Sequence, residues 1–517
     1  MRQVRILWVD DEVGVLRSHI LFLKEKGFET DTCPSGNDAI TMVRDKPYDI
    51  IFLDEHMPGL SGIETLRRIK AIRPSIPVVM ITKSEEEDIM EAAIGSQIAD
   101  YLIKPVKPQQ ILLTLKRILD IDDIVTRQTT SVFREEFGSI SDMISSAGSF
   151  EQWSDVYRRL VFWQRELIRS SDPGMRDVLR MQEADANRAF GKFIAKNYTG
   201  WISSDAGDKP LHSPAVMAKR IFPLIKKGPP LFFIIVDNMR LDQWQAIASD
   251  ISPYLRTVSE DLYLSILPTA TQYSRNALFA GLMPAAISEL MPEYWISDNE
   301  DEGKNLYEEN LIGKHLQRAG INCKWSYSKV SSDAEGKNLN DKLSRLLSND
   351  LNVLVYNSVD LLSHARTEIG VLRDMTGDEG SWLSFTHTWF IHSPLFELLK
   401  GLAAKGARVV ITTDHGFVRV QKPVRVVGDR QTSMNLRYKT GRNLDYNPKE
   451  VFEVTAPAKA GLPMTNITSK YIFATGNDFL VYPNNFNQVV SYYRDSFQHG
   501  GVSLHEMMLP LVSLEPV

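Results

Sequence analysis

Two long stretches of the chain alternate short apolar runs with amphipathic segments, and a third stretch between them does not. Across residues 5 to about 119, five runs have buried-strand character, and most end on chemically useful residues. Ile6–Val9 precedes Asp10, Asp11 and Glu12, and Glu29–Cys33 is a short strand. Asp49–Leu53 precedes Asp54, Pro77–Ile81 precedes Thr82, and Asp100–Ile103 precedes Lys104-Pro105. Between them Val13–Lys26, Gly36–Arg44, Ser61–Ala71, Glu85–Ile94 and Pro108–Leu119 show helical spacing. Ser61 followed by Glu64 is a capping-box signature. The pattern predicts a doubly wound, five-stranded α/β domain over residues 1–121.

Residues 122–205 lack strand signals. Trp153, Tyr157, Leu160, Val161, Trp163 and Leu167 recur at helical spacing, as do Phe190 and Phe193, so a bundle of two or three helices is expected. Trp153 and Trp163 read as core. The stretch Ser203–Pro214 is rich in Ser, Asp, Gly and Pro and marks the next boundary. From there to residue 517 the alternation resumes with long insertions, predicting a large α/β domain over 206–517. Leu231–Val236 ends on Asp237, and Leu262–Ile266 leads into Pro268-Thr269-Ala270-Thr271. Asn352–Tyr356 leads to Asp360 and His364, and Arg408–Ile411 leads to Thr413-Asp414-His415-Gly416. Leu480–Pro483 is a late strand. Arg240–Ser249, Gln272–Gly281 and Phe385–Ala404 read as helices.

Composition narrows the class without changing this picture. The 517 residues are 43% hydrophobic and 24% charged, as in a soluble globular protein, and two or three domains are expected. A net charge of −6 argues against a general nucleic-acid coat. Cys33 and Cys323 are the only cysteines, which fits a reducing compartment. Neither a signal-peptide core nor an apolar run of membrane-spanning length is visible, so a cytoplasmic protein is expected.

The first domain's strand ends bring Asp10, Asp11 and Asp54 to one sheet edge. Three carboxylates together are costly without a cation and suit Mg²⁺. Thr82 and Lys104 offer a hydroxyl and a cation for an incoming phosphoryl group. These residues resemble the receiver domain of bacterial response regulators. The resemblance implies Asp54 as phosphoacceptor, Asp10 and Asp11 with Asp54 around Mg²⁺, Thr82, Tyr101 and Lys104 as the switch residues, and a sensor histidine kinase as partner. Glu55-His56 departs from the family pattern.

The second α/β domain gathers Asp237, Asp360, Asp414, His364, His415 and His499 at strand ends and nearby loops. Mixed Asp/His donors suit Zn²⁺ or Mn²⁺, and three ligands apiece would serve two ions with positions left open for substrate. Two ions about 4 Å apart can clamp an in-line phosphoryl displacement. Asp360 and His364 are four apart and would share a helical face. Thr271 stands at a predicted helix start, where backbone N–H groups attract phosphate. Activated by an ion, its hydroxyl would be a competent nucleophile. Thr269 and His505 are the alternatives to Thr271 and His499. Arg275, one turn on, would hold a substrate phosphate or form a salt bridge. Arg419, Lys422, Arg425, Arg430, Arg437, Lys439 and Arg442 form a locally basic stretch opposed by Asp429 alone, read as a track for a polyanion or as a solvated loop.

These stretches resemble the alkaline phosphatase superfamily and, more narrowly, its PglZ domains. The resemblance implies one Zn²⁺ (or Mn²⁺) on Asp360, His364 and His499, and a second on Asp237, Asp414 and His415, with Thr271 as nucleophile. A receiver, helices and a PglZ domain in this order resemble PorX-type regulators of type IX secretion and gliding. The expected function is a phosphorylation-controlled, metal-dependent phosphodiesterase acting on nucleotides or short or cyclic oligonucleotides, dimerising on phosphorylation. The alternatives are a phosphomonoesterase or phosphomutase, and a non-enzymatic adaptor that binds a sigma factor.

Overall fold

The computed structural model describes residues 4–74, 76–83, 98–119, 121–169, 173–203, 209–296, 305–368, 376–428, 433–464 and 469–517. They fold as two compact units, Met1–Ser131 and Val132–Val517.

The first unit holds a five-stranded parallel sheet, ordered Glu29–Cys33, Arg5–Val9, Ile50–Asp54, Val78–Thr82, Asp100–Ile103. The central strands are buried on both faces, which is why they read as unbroken apolar runs. Ser61 and Glu64 form the capping box that starts the Gly62–Ile72 helix. The segment after the first strand opens as a 3₁₀ turn, Val13–Leu16, before the Arg17–Glu25 helix, not as one helix from Val13. Val13-Gly14-Val15 is a poor α-forming start. The helix expected over Glu85–Ile94 lies outside the described residues.

In the second unit, the helices Phe150–Arg169 and Pro173–Ser203 pack with the C-terminal part of Ile121–Ser146. Trp153 and Trp163 are buried, and Trp153 lies 5.3 Å from Phe190. Beyond the bundle runs a six-stranded sheet, ordered Leu255–Leu264, Met508–Pro516, Arg408–Thr412, Leu231–Val236, Leu351–Tyr356, Trp325–Val330. The last four are mutually parallel, and the first two add antiparallel. Leu231–Val236 and Leu351–Tyr356 are buried throughout. Each large apolar side chain there contributes about 1.5–3 kcal/mol of burial, so these strands rigidly anchor the polar residues at their ends.

Two expectations change. The helix expected over Phe385–Ala404 is two, Glu379–His392 and Pro394–Ala404, because Pro394 cannot continue a helix; Ser393 instead caps the second. The basic stretch is no simple loop. It contains Val418–Arg419, Lys422–Arg425 and Tyr438–Gly441, which pair with strands drawn from 451–498. Among the described residues no helix is long and apolar enough to cross a membrane.

Candidate active site

The parallel strands deliver the site at their carboxyl ends. Asp237 follows Leu231–Val236, and Asp414 and His415 follow Arg408–Thr412 one strand over. Their backbone is pinned from several sides. Ser265 Oγ donates to the Asp414 carbonyl (3.0 Å), Tyr263 Oη to that of Thr413, and Thr413 Oγ1 to that of His415 (2.8 Å). A Cβ on Gly416 would collide with the His505 carbonyl, so only glycine lets the chain pass there. Asp360 and His364 stand one turn apart on the Ser358–Glu368 helix, with 3.5 Å between His364 Nε2 and Asp360 Oδ2.

Two triads result. Asp360, His364 and His499 bring one donor atom each within 4.8 Å of one another, and so do Asp237, Asp414 and His415. The triads are neighbours: the rings of His415 and His499 stack at 4.2 Å. Burial holds both imidazoles down to about 4, so they are neutral at pH 7 with a free lone pair. The tautomer is set from outside. His499 Nδ1 faces the Thr269 carbonyl at 3.2 Å and His415 Nδ1 that of Gly416 at 3.3 Å, leaving each Nε2 to the carboxylates. Burial lifts Asp414 to about 7, with Arg275 pulling down and Asp237 pushing up. Burial also pushes Asp237 up, but Arg275 and His415 bring it below the usual carboxylate range. Asp237 Oδ1 and Asp414 Oδ1 are buried oxygens without a hydrogen-bond partner among the described residues. Orphaned carboxylate oxygens beside neutral imidazoles are the donor set a borderline transition metal takes, so the residues fit the ions.

Thr271 begins the Thr271–Ala280 helix, half-buried, with Oγ1 2.9 Å from His415 Nε2. Thr269 is occupied elsewhere: fully buried, it donates to the Gly501 carbonyl (2.9 Å) and accepts from Gly500 N (3.1 Å). It braces the His499 segment. His505 meets the Tyr157 ring edge-to-face and its hydroxyl at 3.0 Å, and belongs to neither triad.

Arg275 departs from the phosphate-binding expectation. It is fully buried and spends its guanidinium on Asp237, Asp414 Oδ2 (3.0 Å), Glu308 Oε1 (3.3 Å) and Asn357 Oδ1 (3.3 Å). Glu308 in turn accepts from Lys329 (3.0 Å) and Tyr327. Sequence reasoning also missed Asn238, whose Nδ2 donates to Asp360 Oδ1 and Ser363 Oγ, both at 3.1 Å. Its left-handed backbone (φ 65°) aims the amide there, a conformation Asn tolerates better than most. An Asn directly after a strand-ending Asp was the available signal.

Among the described residues the basic stretch does not form a continuous exposed track. Arg437 is buried on Glu506, and Lys439 is buried with its ammonium 4.2 Å from the Tyr482 ring. Arg419 pairs with Asp495, and Lys422 with Glu450 and Asp478. Arg425 and Arg442 stay exposed, and Arg430 lies outside the described residues.

In the first unit Asp10, Asp11 and Asp54 likewise converge within 4.8 Å. Lys104 Nζ sits 2.9 Å from both Asp10 Oδ2 and Asp54 Oδ2. Asp54 Oδ1 is buried without a hydrogen-bond partner, and burial lifts its carboxyl despite Lys104. This donor set fits Mg²⁺. Thr82 is buried beside the cluster's sheet edge, whereas Tyr101 is 39% exposed. His56 is exposed, and Glu55 is buried close to Gly62 at the start of the next helix.

Family models match three consecutive stretches of the chain. They are a response regulator receiver domain over residues 6–116, a PorX response regulator linker domain over 123–202, and a BREX system PglZ alkaline phosphatase-like domain over 216–514. Together they define a response regulator with an alkaline phosphatase-like output domain in PorX-type order. The last match spans more than half of the chain, which belongs to the PglZ alkaline phosphatase-like family. Among curated relatives, the transcriptional regulatory protein ZraR of Klebsiella oxytoca is 34% identical over 140 residues, 27% of this chain and 32% of its own length. ResD of Bacillus subtilis is 32% identical over 117 residues, 23% of this chain and 48% of its own. The chain thus matches about a third to a half of these relatives' length. Among solved structures, the Vibrio cholerae chemotaxis protein CheY4 is 24% identical with a TM-score of 0.22, covering 23% of this chain and 99% of that one. A Clostridium difficile two-component response regulator is 29% identical with a TM-score of 0.22, covering 23% and 96%.

Proposed function

We propose that this chain is a phosphorylation-controlled, metal-dependent phosphodiesterase with Thr271 as nucleophile. The division into receiver (1–121), helical linker (122–205) and output domain (206–517) belongs to the same proposal. One observation carries the reading: two Asp/His triads, stacked through His415 and His499, adjoin a half-exposed threonine hydroxyl at a helix start. Asp360, His364 and His499 would hold one Zn²⁺ or Mn²⁺, and Asp237, Asp414 and His415 the other. Bound there, the ions supply Lewis-acid charge that favours ionisation of the hydroxyl and offsets charge on the phosphoryl oxygens.

The chain's own residues do the rest. Thr271 Oγ1 attacks phosphorus and its proton passes to solvent, while the P–O bond to the leaving group breaks and the departing alkoxide takes a proton from solvent. Water then attacks the phosphorus of the threonine-linked diester, the P–Oγ1 bond breaks, a proton returns to Oγ1, and a phosphomonoester leaves. The amides of the first helical turn face the anion. Arg275 fixes Asp237 and Asp414. The same commitment favours diesters: the guanidinium suited to the second charge of a phosphomonoester is buried on carboxylates, so a monoanionic diester fits better. Nucleotide or short oligonucleotide diesters are the proposed substrates, and type IX secretion and gliding the process served, as the PorX-type domain order suggests.

Purified protein should take up two transition-metal ions per chain by elemental analysis. Asp360→Ala should remove one and lower activity by about a hundredfold or more. Under saturating Zn²⁺ or Mn²⁺, bis-p-nitrophenyl phosphate and dinucleotides should be cleaved faster than p-nitrophenyl phosphate. The reverse order would return the enzyme to the monoesterases, and no metal uptake would leave the adaptor reading.

Control is proposed to run through Asp54. A phosphoryl group there competes for Lys104, now shared with Asp10, and draws on Thr82. Tyr101, Ile103 and Leu113 leave an apolar face exposed on the same domain, a suitable two-fold contact. Beryllofluoride should convert monomer to dimer in light scattering of the wild type and leave Asp54→Ala unchanged. An equal shift in both proteins would show that Asp54 is not the trigger.

A further inference from the structure

The six-stranded sheet has an edge strand with no further strand beyond it among the described residues. Trp325–Val330 pairs with Leu351–Tyr356 on one side and has no strand partner on the other among the described residues. Alongside that edge runs a groove of about 600 Å³, floored by the strand and walled by the helices Asp333–Asp341 and Leu343–Leu346.

Its charge is one-sided. Lys324, Lys342 and Arg345 line it, are exposed, and have no ion-pair partner among the described residues; Lys324 Nζ donates to Ser348 Oγ at 2.8 Å, and a further lining cation, Lys329, is paired with Glu308. The acid lining it is Glu335, whose carboxylate already accepts the Ser331 N–H at 2.7 Å. This local excess of cations stands on a chain of net charge −6. Lysines on an edge strand also repel unwanted strand pairing. That role needs charge alone, however, and does not account for a concave track beside the free backbone.

We infer that the Trp325–Val330 edge and its groove are a docking site for an acidic, extended segment of a partner protein, which adds to the sheet as a seventh strand. Main-chain hydrogen bonds would give the affinity, and the three exposed cations would select acidic side chains and speed encounter. Asp237, Asp360 and Asp414 do not line this groove, and the inference does not depend on catalysis.

The test uses the full chain and a fluorescent, alternating Val–Glu decapeptide followed by anisotropy. Binding is expected, with slowed amide exchange across 325–330. Charge reversal at Lys324, Lys342 and Arg345 together should weaken it by about tenfold or more. These three side chains are exposed, and an unchanged melting curve would show that the variant folds. A Val–Lys decapeptide should not bind, and proline at alternate positions of the Val–Glu peptide should abolish binding, because proline cannot donate to a ladder. Absence of binding up to about 1 mM would overturn the inference. So would equal binding by the charge-reversed variant, by the proline peptide, or by a single-stranded oligonucleotide competing for the same groove.

Discussion

Thr271→Ala should leave the protein folded and metal-loaded while lowering phosphodiester turnover by about a thousandfold or more. The hydroxyl makes one described contact, to His415 at 2.9 Å, and sits half-exposed, so its loss should cost no more than about 1 kcal/mol of stability. The triads do not need it as a ligand. Elemental analysis, thermal melting and turnover measured on one preparation separate these effects. The companion variant is informative because Thr269 braces Gly500 and Gly501 next to His499. Thr269→Ala should therefore lose metal and activity together. Wild-type turnover in Thr271→Ala, with Thr269→Ala inactive yet fully metal-loaded, would move the nucleophile two residues upstream.

The second large effect concerns Arg275. Arg275→Met keeps much of the volume but leaves Asp237 and Asp414 without their buried cation and Glu308 with Lys329 and Tyr327 only. Removing one partner from such a network costs about 3–5 kcal/mol. The loss should be largest in metal-free protein. Saturating Zn²⁺ should narrow it, because an ion on the same carboxylates takes over part of the neutralisation. Denaturant titrations of wild type and variant, with chelator and with Zn²⁺, measure both gaps. An identical loss in the two conditions would show that guanidinium and ion do not share those carboxylates, and the positioning role given to Arg275 would fall.

The contrast between these residues explains what could be read in advance. Asp237, Asp414 and His415 were visible because an unbroken apolar strand that stops on charged residues places them at a sheet edge. Asp360 and His364 were visible through their four-residue spacing. The allegiance of Arg275 was not: its partner Glu308 comes from a helix 33 residues on, inside an insertion without strong periodicity. Arg419, Lys422, Arg437 and Lys439, counted with the basic stretch, were misjudged for a related reason. Charge counted along a chain does not say which side chains fold inward, and Arg437 finds Glu506 69 positions away. The strands of 418–498 run two to five residues and so carry too few alternations to stand out.

The helical linker is fastened to the loops that carry the chemistry. Tyr198 Oη accepts the Leu267 N–H at 2.8 Å, four residues before Thr271, and Asn187 Oδ1 accepts the Leu504 N–H at 2.9 Å, five residues after His499. Arg158 meets Glu260 at 2.6 Å. A gene fusion that grafted a foreign linker onto this output domain would have to reinvent all three fittings at once. Recombination therefore has no easy seam behind the bundle, and bundle and output domain should travel through evolution as a single cassette.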